Sequence, residues 1–568
     1  MLLDNRNIKI INSSFMSFLV TLLVFYFLSK SFTFVLISID DATYQNYFSG
    51  AITGVPDAHC IFIQYPLAWI ISRFYILIPN ISWYKYFLEF FLFLCFFCVF
   101  KRINEINLNY KKIISFIILI IVFSSHIIHP EWTVISGLLG STAIFRFITF
   151  KNDLSVKEST KEYIFCSFLL FLCYELRNSV AFLILPIFIF SVIQKNKISL
   201  NNKILFFCFI FLILLSSYIF NYIHYYEPDW EKYYQLTDGR SDIHDYYGFP
   251  EYEKNKDIFI KSGITKEMYD LMKDDFNYII PCNNMENIKL RNIADVSKKN
   301  YYSNFSFNEK INSIYKTIIN ILHERKYFSI NIIIIFLIIG NITSNKKKGK
   351  NIFYFLTIFW TVSISLYLIY KGRFPERVVR CIAYCLISYF GGELFVKNKK
   401  SNSNSFKEFI MNIFCIVLVF LLIKHFDYIK MENNEQICLA QSKYELTNYC
   451  ELNPTNVYFY DFCSFSQRGE LFFHKEYNVD NYLFTNGWPY CSPQCDKLLE
   501  RKDCSNIDKA IKDNHNIYYL VNSDRTEQVL QRLNSYYYFK NPNIKVIIYD
   551  TFSTNLDTVN VLKFIYTQ

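Results

Sequence analysis

A series of apolar runs, each long enough to cross a bilayer, constrains this chain more than any other feature. Between residues 13 and 425 the apolar residues gather into stretches of about 17–25, the length a helix needs to traverse the hydrocarbon core. Hydrophobic residues make up 52% of the 568, and soluble domains rarely distribute them this unevenly. The spacing predicts spanning helices near 13–38, 83–100, 113–129, 131–150, 163–176, 179–194, 204–222, 327–343, 351–370, 377–396 and 408–425. The first run is too long for a removable signal peptide and lacks a small-residue cleavage site, so it reads as the first of these helices.

Charge orients them. Alternate connections are basic: Arg6 and Lys9; Lys101, Arg102, Lys111 and Lys112; Lys151, Lys157 and Lys161; Lys195, Lys197 and Lys203; Lys346, Lys347, Lys348 and Lys350; Lys397, Lys399, Lys400 and Lys407. Cations flanking short loops mark the cytoplasmic side. The N-terminus is therefore expected inside, and everything after about 426 outside. This alternation requires that 61–79 not span. Gln64, Pro66, Ser72 and Arg73 within it suit a helix lying at the outer interface. Residues 39–83 then form one first outer loop with two short surface helices. The net charge of +10 is a topology signal, which leaves no basic surface for nucleic acid.

The residues with chemistry cluster at the outer ends of the helices. Asp40 and Asp41 sit where the first apolar run stops, in Ile39-Asp40-Asp41-Ala42-Thr43-Tyr44. Ionisable residues at a membrane edge point to function, although acids also cap helices and stabilise their N-termini. The second outer connection carries His126, His129 and Glu131; the third carries Glu175, Arg177 and Asn178. Residues 223–326 form a polar outer insertion punctuated by Gly239, Gly248 and Pro250, a lid or substrate-facing segment. The last outer connection breaks the charge rule with Lys371, Arg373, Arg377 and Arg380. Phospholipid headgroups, or pairing with Glu376, would account for these cations as well as a substrate phosphate would.

The tail, 426–568, reads as a soluble α/β domain outside the membrane. Period-two runs predict strands at 456–462, 516–522, 545–551 and 559–566, with helices at 496–501, 507–513 and 526–538 between them. Its six cysteines, Cys438, Cys450, Cys463, Cys491, Cys495 and Cys504, predict one or more disulfides in an exported domain, since their spacing is not that of a zinc site.

The order of these features resembles the opening of the GT-C superfamily, integral-membrane glycosyltransferases that use polyprenyl-phosphate-linked sugars. Protein O-mannosyltransferases and aminoarabinose transferases are the nearest in layout. The resemblance rests on Asp40-Asp41 after the first helix, the polar stretch Thr43 to His59, Tyr65-Pro66-Leu67-Ala68-Trp69 on a second surface helix, and a large outer C-terminal domain. It departs from the commoner pattern in having Asp-Asp for Asp-Glu and one proline for two. It implies a transmembrane domain over 1–425 and a plasma-membrane protein with a lipid-linked sugar donor and a glycan, lipid or protein acceptor. Proton abstraction from an acceptor hydroxyl needs a carboxylate, and a phosphate leaving group needs cations. Asp41, with Asp40, is the expected catalytic acid pair, and Asp41 the cavity-facing member. Arg373, Arg377, Arg380 and Arg177 are the expected phosphate ligands, because a guanidinium matches phosphate oxygens in a planar fork. Asp57, His59, Tyr65 and Glu131 are candidate substrate contacts. Beside the acid pair Glu131 would also suit a divalent metal, although a helix cap or, for Asp57 and His59, a turn are the competing roles. An O-antigen-type polymerase would place its arginines in central outer loops, a lipid or glycan transporter would carry charge at mid-membrane in repeated halves, and a surface receptor would not need eleven helices.

Overall fold

The computed structural model describes residues 5–105, 109–150, 156–195, 198–282, 289–304, 307–344, 348–396, 405–472 and 481–567. Of the expected basic connections, Lys151, Lys197, Lys346, Lys347, Lys397, Lys399 and Lys400 lie outside the described residues.

Each expected spanning segment falls on a helix except the end of the first, since 13–38 overruns the helix that stops at Ser31 and takes in a short strand at Val35–Leu36. The helices are Asn5–Ser31, Trp83–Asn104, Asn109–Ile128, Trp132–Thr149, Val156–Leu176, Asn178–Ile193, Leu200–His224, Arg325–Ser344, Lys348–Tyr370, Glu376–Val396 and Ser405–Glu451. Among the described residues five stretches are long and apolar enough to cross a membrane on length and composition: Ser13–Ser31, Trp132–Thr149, Leu200–His224, Arg325–Thr343 and Gly349–Tyr370. The chain is an integral membrane protein of helical class with a C-terminal sheet domain. The Trp132–Thr149 helix is enclosed on nearly every side, whereas Leu200–His224 exposes its apolar face. Gly137 permits the enclosure, because a Cβ there would lie 2.5 Å from the Cys381 sulfur on the neighbouring helix. Small residues let membrane helices approach in this way.

The last helix, Ser405–Glu451, has 47 residues and is about 70 Å long. That is more than twice a hydrocarbon core of about 30 Å, so one rigid rod runs through the expected boundary at 425/426 into the tail. The two first-loop helices are in place. Ile39–Ser49 and Tyr65–Leu77 have 11 and 13 residues, about 20 Å or less, which is too short to span. Trp69, Ile70, Ile76 and Leu77 are exposed on the second of them.

Among the described residues seven strands occur. β1 (Val35–Leu36) pairs antiparallel with β3 (Glu470–Leu471), tying the end of the first long helix to the tail. The others, β2 (Val457–Tyr460), β4 (Tyr482–Phe484), β5 (Ile517–Asn522), β6 (Ile544–Ser553) and β7 (Thr558–Tyr566), form a sheet in the order β4-β2-β5-β7-β6. β2 runs parallel to both β4 and β5, while β7 is antiparallel to β5 and β6. β2 and β5 are buried on both faces, as their unbroken apolar and aromatic runs require. Pro493–Arg501, Ile507–Lys512 and Thr526–Lys540 supply the helical layers.

The expected disulfides are corrected: among the described residues none is formed. Cys438 and Cys450 lie twelve residues apart on one helix, about 18 Å, whereas bridged Cα atoms sit about 4.4–6.8 Å apart. The Cys450 sulfur is instead 3.2 Å from the Tyr460 hydroxyl, and that of Cys463 is 3.9 Å from the Asp274 carbonyl.

The described residues of the insertion 223–326 are largely helical, with Trp230, Tyr233, Phe259, Tyr269 and Met272 among those buried in its core. It is clamped to the tail by buried acids. Arg525 reaches Asp275 at 3.2 Å and Asp461 at 3.0 Å, and Arg532 reaches Asp275 at 2.7 Å.

This contact requires the insertion and the tail to share one side of the membrane. With the exposed Cys438 and Cys463 changed to Ser, Lys232→Cys and Ser535→Cys should both react with an impermeant maleimide on intact cells. Asn201→Cys, next to a basic connection, should react only after permeabilisation. Protection of one of the first two while the other reacts would overturn the arrangement.

Candidate functional site

The helix Ile39–Ser49 starts at Ser38, whose side chain accepts a hydrogen bond from the Asp40 amide at 3.2 Å. It stops at Gly50, where φ is +80° and a Cβ would lie 2.4 Å from the Val55 carbonyl carbon. Both acids thus lie in the first turn, where the helix dipole favours negative charge. Adjacent helical residues point about 100° apart, and here they separate completely. Asp40 accepts from the Trp488 indole N–H at 3.0 Å, and its other oxygen lies 3.5 Å from Nη1 of Arg377. Asp41 is fully buried and accepts from the Tyr84 hydroxyl at 2.5 Å. The expected orientation of the pair is therefore reversed. Asp40 faces the cavity, and Asp41 is turned inward against the helix Trp83–Asn104.

The cavity has a volume of about 680 Å³, within the usual range for small-molecule sites. Five parts of the chain enclose it. Asp40, Thr43 and Phe62 come from the first outer loop, and Arg177, Val180, Phe182, Trp360 and Ile364 from the ends of membrane helices. Arg373 and Arg377 belong to the last outer connection and its helix. Tyr234, Arg240 and Asp245 of the insertion, with Phe484 and Trp488 of the tail, complete the wall.

Three of the four expected arginines line it. Arg377 is loosely held, 3.5 Å from Asp40 and 3.8 Å from Glu131. Arg177 lies over the rings of Phe62 and Trp132, 4.5 and 4.4 Å from their centroids; its Nε donates to Ser179 at 3.1 Å and its buried Nη1 has no partner. Arg373 pairs tightly with Asp245 at 2.6 Å. Arg380 is the exception. Glu376, one turn earlier, captures its guanidinium behind the wall and also holds Lys326 at 2.7 Å.

Glu131 stands behind Arg377 and does not line the cavity; it is the N-cap residue of Trp132–Thr149 but makes no side-chain capping bond. Asp57, His59 and Tyr65 are also elsewhere. Asp57 accepts from the His59 amide at 2.9 Å and lies 2.6 Å from its Nδ1. Burial alone would raise the Asp57 carboxyl, but His59's hydrogen bonds and charge outweigh it and hold the group below its ordinary value. The His59 ring stacks on Trp230, and Tyr65 stacks on His224 at 3.8 Å. These aromatic contacts join the first loop to the insertion and bring no polar group to the cavity.

Arg240, Asp245 and Trp488 were not expected at the site. For Trp488 a signal existed: a tryptophan inside the turn sequence Asn486-Gly487-Trp488-Pro489 has no strand or helix to bury it locally. Among the described residues no group of three or more His, Cys, Asp or Glu side chains could hold a metal ion.

No family model matches the sequence, and no curated protein matches it. Two solved structures do. ArnT from Cupriavidus metallidurans bound to undecaprenyl phosphate is 9% identical, with a TM-score of 0.41 over 96% of this chain and 97% of that one. The apo state of the same protein is 10% identical, with the same score and coverage.

A carboxylate, loosely held guanidinium groups and an apolar flank share one cavity, which suits an amphiphilic anion with a polar partner. The inward acid has a separate, measurable consequence. Burial pushes the Asp41 carboxyl well above its ordinary value of 3.8, despite the Tyr84 hydrogen bond that lowers it. Above pH 3.8 the unfolded chain releases this proton while the folded protein keeps it, so stability falls as pH rises between the two values. Asp41→Asn should flatten that part of the curve when thermal melting in detergent is followed from pH 4 upward, and Asp40→Asn should leave the slope in place.

Proposed function

We propose that the protein is an integral-membrane glycosyltransferase of the GT-C type. It moves a sugar from a polyprenyl-phosphate donor to a glycan, lipid or protein acceptor on the outer side of the plasma membrane. The supporting observation is that Asp40, Arg177, Arg373 and Arg377 line one cavity, part of whose wall consists of the apolar ends of membrane helices. A donor anchored in the bilayer would bring its phosphate to this wall.

Asp40 takes the proton of the acceptor hydroxyl as the acceptor oxygen bonds to the anomeric carbon. The bond from that carbon to the phosphate oxygen breaks, and its electron pair leaves with the phosphate. Arg377 and Arg177 stabilise the leaving charge. Charge-assisted N–H···O bonds are about 2.7–2.9 Å long, so Arg377, at 3.5 and 3.8 Å from its acids, retains capacity for phosphate oxygens. Arg177 retains its unpartnered Nη1. Arg373, committed to Asp245, contributes less, and Arg380 acts only by holding Glu376 and Lys326 in place. No metal is required in this scheme.

One observation favours a second reading. Arg240, on the central outer insertion, lines the same cavity, as an O-antigen-type polymerase would require. Arg291, however, is engaged by Asp242 at 3.0 Å, so the insertion supplies a single cavity arginine while the last outer connection supplies two.

In a deletion strain complemented with variants at equal membrane level, Asp40→Asn should remove the surface-glycan mass change by about 10²–10⁴ in rate, the usual worth of a general base. Asp41→Asn, whose side-chain oxygen can still accept from the Tyr84 hydroxyl away from the cavity, should stay close to the parent. Full activity of Asp40→Asn would dismiss the mechanism.

The arginines give an independent ranking. Arg377→Ala and Arg177→Ala should each lower donor use about 10²–10³-fold, the scale seen for loss of one charge-stabilising donor. Arg373→Ala should cost less. Arg377→Lys should rescue poorly because it loses the planar fork. Binding of undecaprenyl phosphate, followed by native mass spectrometry, should show the same order. Equal binding by all the variants would make the cluster structural.

A further inference from the structure

The cavity has a second charged end that donor binding does not use. Arg240 lies on the helix Pro228–Ser241, in the wall built by the insertion and the tail, not the one built by membrane helices. It is 8% exposed, forms no ion pair among the described residues, and leaves its Nε without a partner. Its guanidinium rests 5.8 Å from the ring centroid of Tyr490. The facing element is the tail turn of Asn486 and Trp488, held against this helix by a 2.6 Å bond from the Tyr233 hydroxyl to the Trp488 carbonyl. On that turn Asn486 is 3% exposed, lines the cavity and leaves its Oδ1 unpartnered.

A buried polar atom without a partner costs free energy, and native proteins rarely keep one without a use. Two of them where the insertion meets the tail in one cavity, a cation and an acceptor, describe a ligand with a negative group and hydroxyl donors. The rings of Phe484 and Trp488 beside them offer the apolar faces on which a sugar ring can lie. Among the other cavity charges, Asp245 holds Arg373 tightly, Arg377 faces Asp40 at 3.5 Å, and Asp238, two residues before Arg240 on the same helix, also lines the cavity. Arg177, the other cavity cation with an unpartnered nitrogen, is on the membrane-helix side, where a lipid phosphate would arrive.

We propose that Arg240 and Asn486 form a second anion subsite that binds an anionic saccharide, the acidic sugar of the acceptor, while the donor phosphate occupies the membrane-side wall. The word acceptor rests on the glycosyl-transfer reading; the anion subsite does not. Carboxylate and phosphate share the required chemistry, and the probes separate them.

The full chain in nanodiscs is titrated with glucuronate, glucose 6-phosphate, glucose and undecaprenyl phosphate, following tryptophan fluorescence, since Trp360 and Trp488 both line the cavity. At least one anionic sugar should bind tenfold or more tightly than glucose, and which one does identifies the acidic group. Arg240→Gln should abolish that preference while undecaprenyl phosphate binds within twofold of the parent. Asn486→Asp, which keeps the buried arginine and adds a repelling charge, should weaken the anionic sugars similarly and leave glucose unchanged. No preference in the parent, or one that survives both variants, overturns the subsite. An equal loss of undecaprenyl phosphate binding in Arg240→Gln also overturns it, by assigning Arg240 to the donor. If undecaprenyl phosphate fails to bind the parent while the Arg240-dependent preference holds, the glycosyl-transfer reading fails and the anion subsite stands.

Discussion

The Asp40 carboxylate is where three distant parts of the chain meet. Its backbone amide is bonded to Ser38, one oxygen accepts from Trp488 in the tail, and the other faces Arg377 on a membrane helix. Partners 448 and 337 residues away converge on a single side chain. Partly buried ion pairs are poor evidence for net stability, because desolvation offsets much of the attraction. At 3.5 Å the contact with Arg377 is also too long to be a strong charge-assisted bond. What the arrangement achieves is alignment: an acid and a guanidinium face the same space, neither saturated by the other.

Alignment on this scale needs the surrounding parts to be held independently of the charges, and each is. The Tyr84 bond to Asp41 fixes the first turn of the loop helix to Trp83–Asn104. The two-residue ladder between β1 and β3 fixes the exit of the first long helix to the tail. Asp275, gripped by Arg525 and Arg532, fixes the insertion to the tail. The continuous rod Ser405–Glu451 then carries the orientation of the membrane helices into the sheet domain. These joints are made away from the cavity itself, while Arg373–Asp245 and Asp40–Trp488 close it from within.

Much of this was legible in the sequence. The apolar runs placed the eleven expected spanning helices, because bilayer length and helix rise leave little freedom. The period-two runs placed β2, β5, β6 and β7 within two residues at nearly every end. β4 escaped because three residues, Tyr482 to Phe484, are too few to show alternation. The acidic pair and the outward arginines were visible as charges in the wrong place for topology. Their division of labour was not, since it depends on which side Tyr84, Glu376 and Trp488 approach from. Arg380 illustrates this: by spacing it belongs with Arg377, and only the acid one turn before it removes it from the cavity. Asp57 and His59 lie away from the cavity for the opposite reason, because the two bond to each other across a local turn.

The fate of the acid pair follows from electrostatics at a membrane edge. Two adjacent carboxylates in a partly dry site cannot both ionise cheaply, since each charge opposes the other. Burying Asp41 resolves this conflict. Desolvation is the largest influence on its carboxyl, and the Asp40 charge pushes in the same direction. The inner acid therefore holds its proton more tightly than an ordinary carboxyl does. Asp40 is left as the cavity-facing member of the pair, within reach of Arg377 and the Trp488 N–H.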